Sequence, residues 1–120
     1  MNTGDLQRGI WEWYQRVNPN PQIQPVLLKI VEESLETLDV PRPRIEAIVR
    51  DADSYYAPLY REELAEELAD VVICCFIAAS VAGIRMSGAI SKKMQKNRNR
   101  RWEVRGDGTL KHLKEGADTE

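Results

Sequence analysis

Apolar residues recur along this chain mainly at helical spacing, and that pattern resolves it into four strong helices and one less regular stretch. Leu6, Ile10, Trp13 and Val17 fall three and four apart, which predicts a first helix over Asp5–Val17 with Thr3 or Asp5 as its N-cap. This spacing counts Trp13 into the core stripe and leaves Trp11 off it. Asn18-Pro19-Asn20-Pro21 then removes backbone donors and fixes φ, so the helix stops there. A second apolar stripe of Leu27, Ile30, Val31, Leu35 and Leu38 predicts a helix from Gln24 or Pro25 to Leu38, closed by Pro41-Arg42-Pro43. Ile45, Ile48 and Val49 suit a short helix, and 51–58, with Tyr55 and Tyr56, reads as a loop.

The third helix is expected from Tyr60 or Arg61 to Ala82, with Gly83 as its stop. Its first half is amphipathic and acidic, whereas Val71–Ala82 is apolar nearly all round. A helix apolar on every side must be covered on every side. A chain this short has few other helices to do so, and a homo-oligomer, dimer or tetramer, is expected with this helix near the interface. Ser87 is placed to cap a fourth helix reaching about Trp102. Gly106-Asp107-Gly108 is a turn signal that closes a small hairpin, and the residues from 115 on are expected to be loose. The fold class is all-α, a helical bundle of four to five helices, with residues 1–103 as the domain and 104–120 as a tail or hairpin.

Composition narrows the function classes. In 120 residues, 42% hydrophobic and 30% charged content describe an ordinary globular domain, and a net charge of −2 argues against general nucleic-acid or membrane binding. The apolar run Val71–Ile84 is too short for a bilayer. The polar start Met-Asn-Thr-Gly-Asp shows no signal-peptide pattern, so a cytoplasmic location is expected. Cys74 and Cys75 are adjacent; on a helix they point about 100° apart, which suits two free thiols better than a disulfide.

Charge is segregated, and there the chemistry lies. Glu32-Glu33-Ser34-Leu35-Glu36 and Glu66-Glu67-Leu68-Ala69-Asp70 each carry two carboxylates at i and i+3, on one helix face. One such cluster is usually a solvated face. Two of them, the second running straight into a buried half-helix, predict carboxylates that meet in space. Converging negative charges need a cation among them. Oxygen donors alone select a hard dication, Mg²⁺ with Mn²⁺ as a substitute, and Mg²⁺ is commonly shared with phosphate oxygens. The single histidine, His112, lies in the tail, so the Glu-x-x-His pattern of di-iron bundles is absent. A basic run, Lys92–Trp102, places Lys93, Asn97 and Arg101 four residues apart, a point charge, an amide and a guanidinium suited to a triphosphate.

Taken in order, Glu33-x-x-Glu36, Glu67-x-x-Asp70 and Lys93-x-x-x-Asn97 with Arg101-Trp102 resemble the signature of the MazG-like all-α nucleoside triphosphate pyrophosphohydrolases, over roughly residues 25 to 102. The resemblance implies that Glu33, Glu36, Glu67 and Asp70 hold Mg²⁺, that Lys93 and Asn97 bind phosphates and that Arg101 assists. It implies hydrolysis of a nucleoside or deoxynucleoside triphosphate to the monophosphate and pyrophosphate, by water attack on the α-phosphorus. Glu32 or Glu66 would take the proton, and Trp11, Trp13, Tyr14, Tyr55, Tyr56 and Trp102 are candidates to stack on the base, although Trp13 fits the core stripe better. The gap from Glu36 to Glu67 is longer than in compact members, which bears on the substrate pocket. The competing reading is a non-catalytic helical oligomerisation module whose basic helix binds nucleic acid; it leaves the paired carboxylates unexplained.

Overall fold

The computed structural model describes residues 1–50 and 55–114; the expected loop residues 51–54 and the expected loose end from 115 lie outside them. Five helices, α1 (Thr3–Val17), α2 (Ile23–Leu38), α3 (Arg42–Arg50), α4 (Ala57–Val81) and α5 (Met86–Arg98), are followed by a two-stranded hairpin, β1 (Trp102–Val104) and β2 (Leu110–His112). The class is all-α. The chain forms two compact units, residues 1–85 and 86–120, each described by itself.

In the first unit, α1 begins earlier than its apolar spacing indicates. Its N-cap is Asn2, not Thr3 or Asp5: the Asn2 amide oxygen accepts from the Asp5 backbone N–H at 2.8 Å. Asp5 thus falls in the first turn, where its charge complements the helix dipole. Helix α2 starts at Ile23, and Pro25 occupies its first turn, where no intrahelical donor is lost. Pro41-Arg42-Pro43 does more than end α2: α3 opens at Arg42, so the prolines serve as helix starters. Likewise α4 begins at Ala57 with Pro58 in its first turn, taking Ala57 and Pro58 from the expected loop.

Helix α4 ends as expected. Gly83 adopts φ +73°, its N–H donates to the Ser80 carbonyl at 3.1 Å and the Ile84 N–H reaches back to Ala79 at 2.7 Å. Both bonds satisfy carbonyls that the helix end would orphan. The Gln7 amide ties α1 to this end, donating to Ser80 Oγ at 3.1 Å and to the Ile84 carbonyl at 2.8 Å.

The core forms where α1 and α2 pack on α4: Val26, Ile77 and Ala78 are buried, with Ile10, Tyr14, Ile30, Ile73 and Val81 against them. Burying a side chain such as Val26 or Ile77 contributes roughly 1.5–3 kcal/mol. Phe76 and Ala79 are also buried, so part of the apolar half of α4 is covered within its own chain. What stays open lies elsewhere: Leu28, Val31, Leu35 and Leu38 run exposed along α2, and Leu68 and Val72 on α4. No single helix among the described residues is long and apolar enough to cross a membrane.

In the second unit, Ser87 lies inside α5 and does not cap it, and α5 stops at Arg98, short of the expected Trp102. The hairpin pairs Trp102 with His112 and Val104 with Leu110. Its turn uses Gly108 at φ +88°. The Asp107 carboxylate accepts from the Thr109 N–H at 2.9 Å and hydroxyl at 2.6 Å, bonds that hold its pKa below the usual carboxylate value.

Candidate metal and nucleotide site

The carboxylates that the sequence singles out lie on the facing helices α2 and α4. One oxygen each from Glu33, Glu67 and Asp70 lie within 4.8 Å of one another. Glu33 is 8% exposed, the only buried charged residue among those described. Its Oε2, and Oε2 of Glu67, are buried without any hydrogen-bond partner. A buried carboxylate oxygen without a donor is costly, and two beside each other cost more. The arrangement therefore fits a positive charge placed among the three groups. An all-oxygen donor set points to a hard divalent ion.

Glu36 extends the centre. The Glu33 charge, then a hydrogen bond with Glu33, push its pKa up, and Glu67 adds to the shift. Glu36 thus responds to both Glu33 and Glu67. Four residues before Glu33 on α2, Lys29 places its Nζ 2.7 Å from Glu32 Oε2 and 3.2 Å from Glu33 Oε1. Of the two acids considered as proton acceptors, Glu32 is engaged by this ammonium. Glu66 instead lines a cavity of about 310 Å³ together with Glu36 and Glu67.

A larger cleft of about 460 Å³ opens on the other side of the carboxylates. Glu33, Asp70 and Lys29 line it beside Trp13, Tyr14 and the residues of the α1–α2 loop. Its size suits a nucleotide-sized ligand. The aromatic placement corrects the sequence reading. Trp13, assigned to the core, is 49% exposed and lines the cleft. Trp11 instead stacks on Tyr14 at 6.3 Å and is not among the lining residues. Tyr55 and Tyr56 meet edge to face at 5.2 Å, Tyr56 stacks on Tyr60 at 6.0 Å, and neither lines this cleft. Cys74 also lines it, and burial, then the Glu33 charge, hold its thiol protonated.

The basic run is only partly one face. Lys93 and Asn97 share α5, but Arg101 lies beyond the helix end and Trp102 begins β1. Two hydrogen bonds and a ring contact make this turn: Trp102 Nε1 donates to the Asn97 carbonyl at 2.8 Å, Leu113 N–H donates to the Arg101 carbonyl at 2.9 Å, and the Trp102 ring lies 5.6 Å from His112. Asn97 Oδ1 is buried without a partner.

Sequence reasoning named Tyr14 as a candidate to stack on the base but missed Lys29, Asn18, Asn20 and Gln22. The spacing Lys29–Glu33, i to i+4, was a usable signal for the first. The loop residues had been taken only as helix breakers, although short polar loops beside a site often carry binding groups.

Known proteins resemble this chain in sequence and in fold. The chain is 31% identical over 116 residues to a dATP/dGTP diphosphohydrolase of Salmonella phage PMBT28, an alignment covering 97% of this chain and 33% of that protein. It is 28% identical over 115 residues to a dATP/dGTP diphosphohydrolase of Cyanophage S-2L, covering 96% and 90%. The chain thus spans about a third of the first relative and most of the second. Its fold matches the solved structure of the Cyanophage S-2L MazG-like pyrophosphohydrolase, bound to dGDP and three catalytic Mn²⁺ ions per active site. There the TM-score is 0.67 at 25% identity, over 95% of this chain and 99% of that one. No protein-family profile matches the chain. Fold and carboxylate centre together define an all-α protein that offers a divalent-metal site between two helices. By sequence and by fold the chain resembles the MazG-like pyrophosphohydrolases.

Proposed function

We propose that this protein is a metal-dependent nucleotide pyrophosphohydrolase that converts a deoxynucleoside triphosphate to its monophosphate and pyrophosphate. Its Glu33, Glu67 and Asp70, with Glu36 beside them, would hold Mg²⁺ or Mn²⁺. The observation that carries this reading is the pair of buried, donorless oxygens on Glu33 and Glu67, which a cation placed among the carboxylates would satisfy. The names of the relatives support dATP and dGTP as first substrates.

A divalent cation bound there supplies charge neutralisation for the phosphates and a more acidic water. The chain's residues do the rest. Glu33 and Asp70 border the larger cleft and Glu67 the smaller cavity, so the α-phosphate would sit at the carboxylates, with water attacking its phosphorus. Glu66, on the same cavity as Glu36 and Glu67, accepts the proton; Glu32 is the weaker choice because Lys29 already engages it. Lys93, Asn97 and Arg101 remain the proposed phosphate ligands, and Trp102 is a proposed base contact only in so far as its hydrogen-bonded ring permits. The exposed apolar row on α2 supports a homo-oligomer, dimer or tetramer.

Pyrophosphate release from a panel of nucleoside and deoxynucleoside triphosphates, with Mg²⁺, with Mn²⁺ and with EDTA, tests the proposal. Release that needs the metal is expected. Absence of release from every triphosphate under saturating metal rejects it.

A further inference from the structure

The α1–α2 loop holds a hydrogen-bond arrangement that the proposed chemistry does not use. The Asn20 backbone N–H donates to Asn18 Oδ1 at 3.3 Å, and Asn18 Nδ2 donates to the Tyr14 hydroxyl oxygen at 3.1 Å. A backbone N–H can only donate, so the atom it meets must be the amide oxygen. The Asn18 amide therefore cannot flip without losing a bond. The Tyr14 oxygen accepts from Asn18 and keeps its own proton to give away. Two further amides, Asn20 and Gln22, line the same cleft and make no side-chain hydrogen bond among the described residues. Gln22 stands at the N-cap of α2 yet does not cap it. These residues, with half-exposed Trp13, form the end of the cleft that carries uncommitted polar groups and an aromatic face.

We propose that this loop reads the base of the substrate. Trp13 stacks on a purine, Tyr14 donates to a ring acceptor, and the amides of Asn20 and Gln22 pair with the base edge. Asn18 is a positioning residue that sets the polarity of the Tyr14 hydroxyl. An amide offers a donor and an acceptor side by side, and rotating it by half a turn exchanges them. One side chain can thus meet a 6-amino purine or a 6-oxo purine, the bases of the proposed dATP and dGTP substrates. The inference rests on the reading of this cleft as a nucleotide site.

Binding of dAMP, dGMP, dCMP and dTMP to the full chain by calorimetry, with Mg²⁺ present, tests it without relying on turnover. The two purine nucleotides are expected to bind about tenfold more tightly than the pyrimidines, the discrimination of roughly one good edge contact. Asn20→Leu with Gln22→Leu, two exposed positions, should remove that preference. Asn18→Asp retains the acceptor for the Asn20 N–H but takes the Tyr14 proton for itself. It should match Tyr14→Phe in lowering purine affinity, raising KM more than it lowers kcat, and the double variant should add nothing. A purine preference unchanged in the Asn20/Gln22 variant, or Asn18 and Tyr14 effects that simply add, overturns the inference even if pyrophosphate is released. If no triphosphate is cleaved but monophosphates bind with a purine preference that these variants remove, the catalytic reading falls and the base-reading loop stands.

Discussion

Lys29 Nζ lies 3.2 Å from Oε1 of Glu33, the same carboxylate whose other oxygen is buried without a donor. Lys29 is the sole cation among the residues lining the larger cleft. Hydrogen bonds to Glu32, then to Glu33, raise its pKa above the ordinary lysine value. The stability this confers is fully present below that ordinary value and is lost only as pH rises through the raised one, so it is constant at neutral pH. Lys29→Met leaves Glu33 with no positive neighbour from α2. The metal-free variant is expected to melt at a lower temperature than wild type, and added Mn²⁺ should raise its Tm by more. Thermal melts with EDTA and with Mn²⁺ check both differences.

Glu67→Gln and Asp70→Asn separate the needs of catalysis from those of folding. Each removes one negative charge from a cluster of like charges, so the metal-free fold gains or keeps stability. Each also removes a proposed metal ligand. Pyrophosphate release is expected to fall by at least about a hundredfold, since even indirect partners of metal ligands cost 10–100-fold. The metal-induced rise in Tm should shrink with it. Helical circular dichroism unchanged beside wild-type turnover would remove both residues from the site.

The raised pKa of Glu36 gives a pH signature with a definite sign. The Glu33 charge is its main cause, and the folded state therefore binds the Glu36 proton more tightly than the unfolded chain does. Stability from this group is fully present below the ordinary carboxylate value and is lost as pH rises through the raised one. In EDTA, the protein is expected to gain Tm on mild acidification from neutrality before general acid unfolding begins. Glu36→Gln should flatten that gain, and saturating metal should abolish it.

The carboxylate centre was legible because it depends on helical periodicity alone. Glu33 with Glu36 and Glu67 with Asp70 share helix faces whatever the rest of the chain does, and two such faces beside apolar stripes must turn toward one core. Trp13 was misread for the same reason. It sits on the apolar stripe of α1, and periodicity cannot tell a side chain packed in the core from one lining a cleft at its edge. The reach of the fourth helix was misjudged differently: the i+4 series from Lys93 to Arg101 assumes a continuous helix, and α5 ends at Arg98, where the chain turns into β1 and Trp102 Nε1 bonds the Asn97 carbonyl. Proline punctuation marked boundaries well but not their direction, since Pro43 and Pro58 open helices.

The exposed row Leu28, Val31, Leu35 and Leu38 on α2 tests the expected homo-oligomer. Leu35 is 57% exposed, and Leu35→Glu would place a charge there that an isolated subunit tolerates. In a self-associated protein the same charge is buried against apolar neighbours. Light scattering after size exclusion is expected to show an oligomer for the wild type and a smaller species for Leu35→Glu. Identical masses for the two at micromolar concentration would exclude this row as an interface.

Two glycines give a matched test of backbone against packing. An added Cβ would meet nothing within 4 Å at Gly9 or at Gly83, so contact with neighbours cannot distinguish them. Gly9 lies inside α1 with ordinary helical geometry, where alanine restricts the unfolded chain and favours the helix; Gly9→Ala is expected to stabilise by roughly 0.5–1 kcal/mol. Gly83 holds φ +73° at the end of α4, and an L side chain there costs about 1–2 kcal/mol. Gly83→Ala should therefore destabilise by about 1 kcal/mol, against the gain from a less flexible unfolded chain. Urea unfolding of both variants, fitted with a common slope, should give shifts of opposite sign. Shifts of the same sign would mean that the αL end of α4 does not govern the cost at Gly83.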